Sequence, residues 1–191
     1  MASYSFYDVT VPVLRNISKS AISFLTAAKE EISKNSSLPS EQELLDAKIG
    51  DMLPFRMQPI LVASFPVGAI NALQLNGSAT TPALDPASFS SLDDIINFFK
   101  QMLTVYDAID AKTYNESAEK SFQVSVGPKT LNASSLTSFI GDFVIPNSFF
   151  HLNAMYMLLR GKGFNLGKPS YIGAFMGETS QKDWAAMRAS A

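Results

Sequence analysis

The stretch from Phe143 to Tyr156, FVIPNSFFHLNAMY, contains the only histidine of this 191-residue chain. The apolar residues after Pro146 recur at helical spacing, which predicts a core helix. Asn147 and His151 lie one turn apart and therefore share a face of that helix. Histidine is the only side chain whose ordinary pKa lies near neutrality, so His151 is the first candidate for acid–base chemistry. The alternative is a structural histidine whose ring nitrogens bond a neighbouring helix.

Two amphipathic helices are predicted upstream of this stretch. The first is expected to start at a Thr10 cap, with Pro12 near its beginning, and to run to Ile32. Ser90 or Ser91 is expected to cap the second, and acidic residues in its first turn suit the helix dipole. The predicted core face of this second helix contains Leu92, Ile95, Ile96, Phe99, Met102, Leu103 and Tyr106.

Another helix, over residues 51–75, is unusual because it contains prolines. Asp51 is its predicted N-cap, and Pro54 suits its first turn. Pro59 and Pro66 fall inside it, where each proline removes a backbone hydrogen bond at about 3 kcal/mol in a regular helix. We therefore expect a kink or break, with the carbonyl four residues before each interior proline left without its donor. A bend of this kind would widen a cavity in the bundle, and the alternative is a tolerated kink without a role, absorbed by neighbouring packing.

A small β-hairpin is predicted between the third and fourth long helices. Residues 122–126 alternate in polarity, residues 127–128 are Gly-Pro, and residues 129–131 return as a second strand. A serine at 134 or 135 opens the last helical segment, which is expected to be interrupted at Pro146 and to resume through Leu159. Four long helices and one hairpin indicate an all-α, up-and-down four-helix bundle.

Composition excludes several classes of function. The net charge is −2 without a basic cluster, so no nucleic-acid partner is expected. The chain has no cysteine, which rules out disulfides, thiolate nucleophiles and zinc–thiolate sites. No apolar run is long enough for a bilayer and the first residues do not resemble a secretory signal. We therefore expect no membrane association and a cytoplasmic location.

Three blocks of the chain resemble the DinB-like four-helix bundles. They are YDVTVP at 7–12, LDAKIGDMLP at 45–54 and IPNSFFH at 145–151, and the last is the most specific. Within that group the chain is similar to an uncharacterised family of bacteria and fungi. The resemblance runs from about Tyr7 to Gly173, which implies a bundle domain over residues 1–173 and a C-terminal extension over 174–191.

Many DinB-like proteins bind a divalent metal through three histidines, one on the second helix and two spaced four apart on the last. The resemblance places Gln58, Asn147 and His151 at those three positions. Carboxamides are weak ligands, and zinc sites favour His, Cys or carboxylate. We therefore expect no metal and no cofactor here, with Gln58 orienting a ligand carbonyl or fixing the His151 tautomer.

Asp51, Arg56 and Tyr156 are the remaining candidate binding residues. Arg56 and Gln58 are two positions apart and cannot share a helix face, so at most one of them points inward, and Gln58 is preferred. Tyr156 follows His151 by five residues, so the two side chains diverge on an ideal helix.

We expect a cofactor-independent bundle that binds a small, apolar, oxygen-bearing metabolite. If it is an enzyme, His151 acts as acid or base in an isomerisation, dehydration or cyclisation. The second interpretation is a non-catalytic stress-related or structural bundle, with a homodimer as an open alternative. A metal-dependent transferase is the third. Phosphate-binding loops and serine nucleophile elbows are absent from the sequence, so nucleotide hydrolysis and esterase chemistry have no support.

Overall fold

The computed structural model describes residues 3–189, and they form an all-α, up-and-down four-helix bundle with one hairpin. The long helices are α1 (Phe6–Ile32), α3 (Met57–Ala72), α4 (Leu92–Asp107) and α7 (Ile145–Gly161). The shorter ones are α2 (Glu41–Asp46), α5 (Ala111–Glu116), α6 (Leu136–Ser138), α8 (Lys168–Ile172) and α9 (Glu178–Ala189). Helix α1 packs on α4 and α7, and α3 packs on α7 and α4, which closes the bundle around one apolar core.

Helix α1 begins earlier than predicted. Its N-cap is Ser5, whose hydroxyl accepts from the Asp8 N–H while the Asp8 carboxylate accepts from the Ser5 N–H. This reciprocal pair satisfies two free donors of the first turn. The predicted Thr10 cap is therefore wrong. Thr10 is buried inside the helix, where its hydroxyl donates to the Phe6 carbonyl and contacts the Tyr114 hydroxyl.

Helix α3 begins later than predicted. It starts at Met57 after the Arg56 N-cap position, and Asp51 lies in an exposed turn, so the predicted Asp51 cap is wrong. Pro59 is consequently the third residue of the helix, where a missing N–H removes no internal hydrogen bond. Pro66 remains the interior proline, as predicted.

Several local predictions are confirmed. Ser91 caps α4 with Asp94 in a reciprocal capping pair, as expected for one of the two candidate serines. The hairpin pairs β1 (Phe122–Val126) with β2 (Lys129–Ala133) in antiparallel register around Gly127, which has φ +58°. Strand β1 packs against α3, where Gly68 admits it because a Cβ there would lie 2.5 Å from Val124 Cγ2.

The predicted interruption of the last helical segment at Pro146 is wrong. Ser135 caps the short helix α6, and a π-helical turn over Phe139–Val144 then leads directly into α7. Pro146 is the second residue of α7, so the chain stays helical through it. The wider π turn accommodates a proline ring that would clash with the preceding turn of a regular helix.

The chain after α7 folds back along the bundle. Helix α8 and a 3-10 turn over Gly173–Phe175 pack on α1 through the rings of Tyr171 and Phe24, whose centroids are 6.4 Å apart. Helix α9 follows, and none of its described residues is buried. The expected division at residue 173 into a bundle domain and an extension stays a prediction.

Candidate functional site

The contact between α3 and α7 is organised by Pro66. Proline has no N–H, so the Val62 carbonyl one turn earlier receives no backbone donor from residue 66. The Ser148 hydroxyl on α7 donates to this carbonyl at 3.0 Å, and Ser148 is fully buried. A buried carbonyl without a partner is unfavourable, so Ser148 replaces the hydrogen bond that the proline removes.

A second side chain of α7 makes the same kind of bond one residue away. Asn147 Nδ2 donates to the Leu61 carbonyl at 3.0 Å. The other carbonyl that sequence reasoning expected to lose its donor, that of Phe55, accepts from the Gln58 N–H at 3.0 Å. The two carbonyls that precede Pro59 and Pro66 by four residues therefore both have partners.

Gln58 and His151 meet at this contact although they lie 93 residues apart. The distance from Gln58 Oε1 to His151 Nδ1 is 2.8 Å, and Gln58 Nε2 lies 2.7 Å from the Leu53 carbonyl. A carbonyl only accepts hydrogen bonds, so the atom that faces it must be the amide NH₂. The amide oxygen then faces the imidazole, and Nδ1 must carry the proton. We call this chain of contacts the Leu53–Gln58–His151 relay.

The relay determines which ring nitrogen of neutral His151 is free. With the proton on Nδ1, the lone pair lies on Nε2. Within residues 3–189, Nε2 has no hydrogen-bond partner. Partial burial lowers the pKa of His151 below its ordinary 6.5, because desolvation disfavours the imidazolium. The ring is therefore neutral at neutral pH, with an accepting atom available.

An exposed aromatic ring lies beside the imidazole. The Phe150 ring is edge-on to it with centroids 5.1 Å apart, and Phe150 is 59% exposed. An accepting nitrogen beside an exposed aromatic ring suits a ligand that is mostly apolar and carries one polar group.

Two small cavities within the bundle are each too small to hold a metabolite. The cleft beside Gln58, lined also by Leu53 and Ala154, has a volume near 0 Å³. The core cavity under Pro66 and Tyr106 measures about 10 Å³, which is at the lower limit for a single water. Larger cavities of about 330 Å³ and 610 Å³ lie beside the hairpin and beside α9. The widening expected from the prolines does not occur at these two internal sites.

The other predicted binding residues make separate contacts. Arg56 is partly buried and pairs with Asp46 at 2.7 Å. The Tyr156 hydroxyl donates to the Leu166 carbonyl at 2.9 Å, and its ring packs edge-on against Phe24 and Tyr171. Asp51 is exposed. The structure thus brings together Gln58, Asn147 and His151 along α3 and α7, whereas Arg56 and Tyr156 bond other residues and Asp51 lies exposed.

Sequence reasoning missed Leu53 and Ser148. Leu53 contributes a backbone carbonyl, for which no side-chain pattern gives a signal. Ser148 could have been predicted. The interior Pro66 leaves a carbonyl without its backbone donor, so a hydrogen-bond donor is expected on the neighbouring helix, and Ser148 follows Asn147 there.

The residues at the DinB-like metal positions do not fit a divalent metal. His151 Nε2 is the one imidazole nitrogen available, Gln58 Oε1 is engaged by Nδ1, and Asn147 offers only a neutral carboxamide oxygen, which is a weak ligand. Across the described chain, no group of three or more His, Cys, Asp or Glu residues is arranged to hold a metal ion. Zinc sites need such ligands.

None of the helices described here combines the length and the hydropathy of a membrane span.

Comparisons with known proteins agree with the fold. The model of a family described as a domain of unknown function (DUF1993) matches residues 6–172. The chain also resembles the crystal structure of a DinB family member protein from Shewanella denitrificans, with TM-score 0.65 and 24% identity over 87% of this chain and 91% of that one. Among curated proteins, no match to the chain is found.

Proposed function

The chain belongs to the family described as a domain of unknown function (DUF1993), and on that premise we propose that it is a metal-free, small-molecule-binding bundle with a DinB-like fold. Its substrate is an apolar metabolite that carries oxygen. Its reaction is a proton transfer of the isomerase, dehydratase or cyclase type, with His151 as the catalytic acid or base. No cofactor takes part in this reaction.

The Leu53–Gln58–His151 relay is the observation that supports this proposal. A general base must present an unprotonated nitrogen in a fixed orientation at the working pH. In the relay, His151 Nδ1–H donates to Gln58 Oε1, which fixes the orientation of the ring. The lowered pKa of His151 keeps the ring neutral at neutral pH. Nε2 then takes a proton from carbon or oxygen of the substrate, and the resulting imidazolium keeps its Nδ1 hydrogen bond and returns the proton later as an acid.

Neighbouring residues supply binding in this proposal. Among residues 3–189, the Asn147 amide bonds only through Nδ2, to the Leu61 carbonyl, and Oδ1 can accept from a ligand. The exposed Phe150 ring offers apolar contact beside the imidazole. Tyr156, Asp51 and Arg56 stay predictions as binding residues.

A specific observation favours the second function, a non-catalytic structural bundle. The cleft beside Gln58 has almost no volume, and the relay also ties the turn at Leu53 to α3. In that case Gln58 and His151 only fasten this turn, and no small molecule reaches Nε2. The third function, a metal-dependent transferase, has no support because the residues at the metal positions do not fit a metal.

Nuclear magnetic resonance provides the test, because His151 is the only histidine and gives a single set of ring signals. A panel of apolar ketones, lactones, enols and alcohols is screened for shifts of the His151 ring signals and for chemical conversion. We expect at least one class to shift the ring and to be converted. His151→Gln should abolish the conversion with little change in melting temperature, whereas Asn153→Ala, an exposed change on the same helix, should preserve it.

Two results would overturn the acid–base function. Conversion that survives in His151→Gln would show that another group performs the chemistry. A panel that never shifts the ring signals, combined with a large loss of stability in His151→Gln, would favour the structural bundle.

A further inference from the structure

A second candidate site lies at the C-terminal end of the described chain, where the family match ends. It is a groove of about 610 Å³ between α8 with its following 3-10 turn and α9. This volume is within the usual range for small-molecule sites. The family model ends at residue 172, whereas α9 begins at Glu178. The α9 wall therefore belongs to this chain's own C-terminal segment.

The walls of the groove are mainly apolar. Phe175 and Met176 line it from the turn after α8, and Ile172 lines it from α8 itself. Trp184, the only tryptophan of the chain, lines it from α9 and is 51% exposed. An exposed tryptophan with aliphatic and aromatic neighbours is a surface that an apolar ligand would cover.

The charged residues of the groove all have the same sign. Lys168 lies on one wall and Arg188 on the other, and no Asp or Glu lines the groove. Neither cation forms an ion pair with any residue from 3 to 189. Two unpaired cations at an apolar groove are complementary to an anion with an apolar body.

We infer that this groove binds a free amphipathic organic anion, such as a carboxylate or sulfonate joined to a ring system or an alkyl chain. The anionic group lies between Lys168 and Arg188, and the apolar body packs on Trp184 and Phe175. A membrane surface is a poorer occupant, because lipid-binding helices carry clusters of four to eight basic residues. Helix α9 has Lys182 and Arg188 against Glu178 and Asp183.

The test uses two probes with related aromatic frames. One is 8-anilinonaphthalene-1-sulfonate, and the other is its uncharged relative N-phenyl-1-naphthylamine. Quenching of Trp184 fluorescence and the enhancement of probe fluorescence are titrated with the full chain. We expect saturable binding of one sulfonate per chain, and binding of the uncharged probe that is about tenfold weaker or more, since each exposed charge pair contributes up to about a fivefold effect.

Matched variants locate the site. Lys168→Gln with Arg188→Gln should weaken the sulfonate about tenfold and leave the uncharged probe nearly unchanged. Lys182→Gln removes a cation from α9 outside the groove lining and should have no effect. Lys129→Gln serves as the control at the 330 Å³ cavity beside the hairpin, which also combines a lysine with apolar residues.

Several outcomes would overturn the inference. Equal affinity for the two probes would show that the groove does not recognise an anion. Equal weakening by Lys182→Gln would show non-specific attraction, and loss of binding in Lys129→Gln would place the probe at the hairpin. Binding to anionic phosphatidylglycerol vesicles that is abolished by Arg188→Gln, without binding of the free sulfonate, would make the groove a membrane contact.

Discussion

The contact between α3 and α7 differs sharply from the groove between α8 and α9. At the first, the side chains of Gln58, Asn147 and Ser148 each have a specific partner, and Gln58 and Ser148 are at most 2% exposed. At the second, Trp184 is half exposed and Lys168 and Arg188 have no ion-pair partner among the described residues. The first region uses its polar groups to hold geometry, whereas the second leaves them available to a ligand.

The two regions should differ in how well they tolerate amino-acid substitutions. Polar groups that replace missing backbone bonds cannot be removed without leaving buried atoms unsatisfied. Exposed cations at an open groove can be removed with little effect on stability. Stability and ligand binding should therefore respond to different substitutions, and the following measurements separate them.

The largest loss of stability should come from truncating a buried methionine side chain to alanine. Met155 on α7 is fully buried one turn after His151, whereas Met176 in the groove is partly exposed. Met155→Ala should lower the free energy of unfolding by about 2–5 kcal/mol through lost burial and a new cavity. Met176→Ala should lower it by about 1 kcal/mol or less. Denaturant unfolding of both variants measures the contrast, and equal losses would show that the groove is packed like the core.

The next effect concerns the hydrogen bond that replaces the one lost at Pro66. Ser148→Ala should lower the free energy of unfolding by about 1–3 kcal/mol, because the Val62 carbonyl loses its donor in a buried site. In a Pro66→Ala background the new N–H can bond this carbonyl, so the same serine change should have a smaller effect. A double-mutant cycle measures the coupling.

Additive losses in that cycle would contradict the assignment. They would mean that Ser148 stabilises the contact by packing alone, since packing does not depend on whether residue 66 has an N–H. Ser148→Thr keeps the hydroxyl and therefore provides a control for the loss of the hydrogen bond.

A smaller effect on stability is expected at Gln58, together with a clear spectroscopic one. Gln58→Met keeps the length of the side chain but removes both hydrogen bonds of the relay, and it should lower the free energy of unfolding by about 1–2 kcal/mol. Nitrogen-15 shifts of the His151 ring should show Nδ1 protonated in the parent chain and a mixture of tautomers in the variant. Unchanged shifts would show that the relay does not fix the tautomer.

The smallest effect should appear in the pH dependence of stability. Burial lowers the pKa of His151 below 6.5, so in the window from 6.5 down to the folded-state pKa the unfolded chain binds a proton that the folded chain does not. The free energy of unfolding should therefore fall as the pH falls through this window. His151→Gln should flatten that slope when both chains are compared by denaturant unfolding.

Two carboxylates whose pKa values are shifted titrate below this window. Asp8 and Asp94 have pKa values below their ordinary 3.8 because neighbouring serines donate to them. Their contribution to stability is lost only at lower pH. An unchanged slope in His151→Gln would therefore mean that the imidazole titrates alike in the folded and unfolded chains.

Local chemistry made part of the fold predictable from sequence. Serine caps such as Ser91 with Asp94, and the Gly127 turn, depend on residues within four positions of each other, and these predictions are confirmed. The start of α1 depends on the same kind of local signal, which lies at Ser5 and Asp8 and not at the predicted Thr10. The bundle itself follows from apolar residues at helical spacing.

The start of α3 could not be predicted locally. The turn before it is set by distant backbone bonds, in which the Phe55 N–H donates to the Ala47 carbonyl and the Arg56 N–H donates to the Leu45 carbonyl. Asp51 therefore remains an exposed turn residue despite its favourable cap chemistry. The meeting of Gln58 with His151 came from the family resemblance, since no spacing rule joins residues so far apart.

Pro66 has one more consequence, for the alignment of two helices along their common axis. Helices that touch only through apolar side chains can slide past each other with modest changes in packing, because dispersion contacts have little directionality. Here the Val62 carbonyl accepts from Ser148 in one alignment only, and a shift of one residue would separate them. The proline thus sets the longitudinal position of α7, and that position brings His151 level with Gln58.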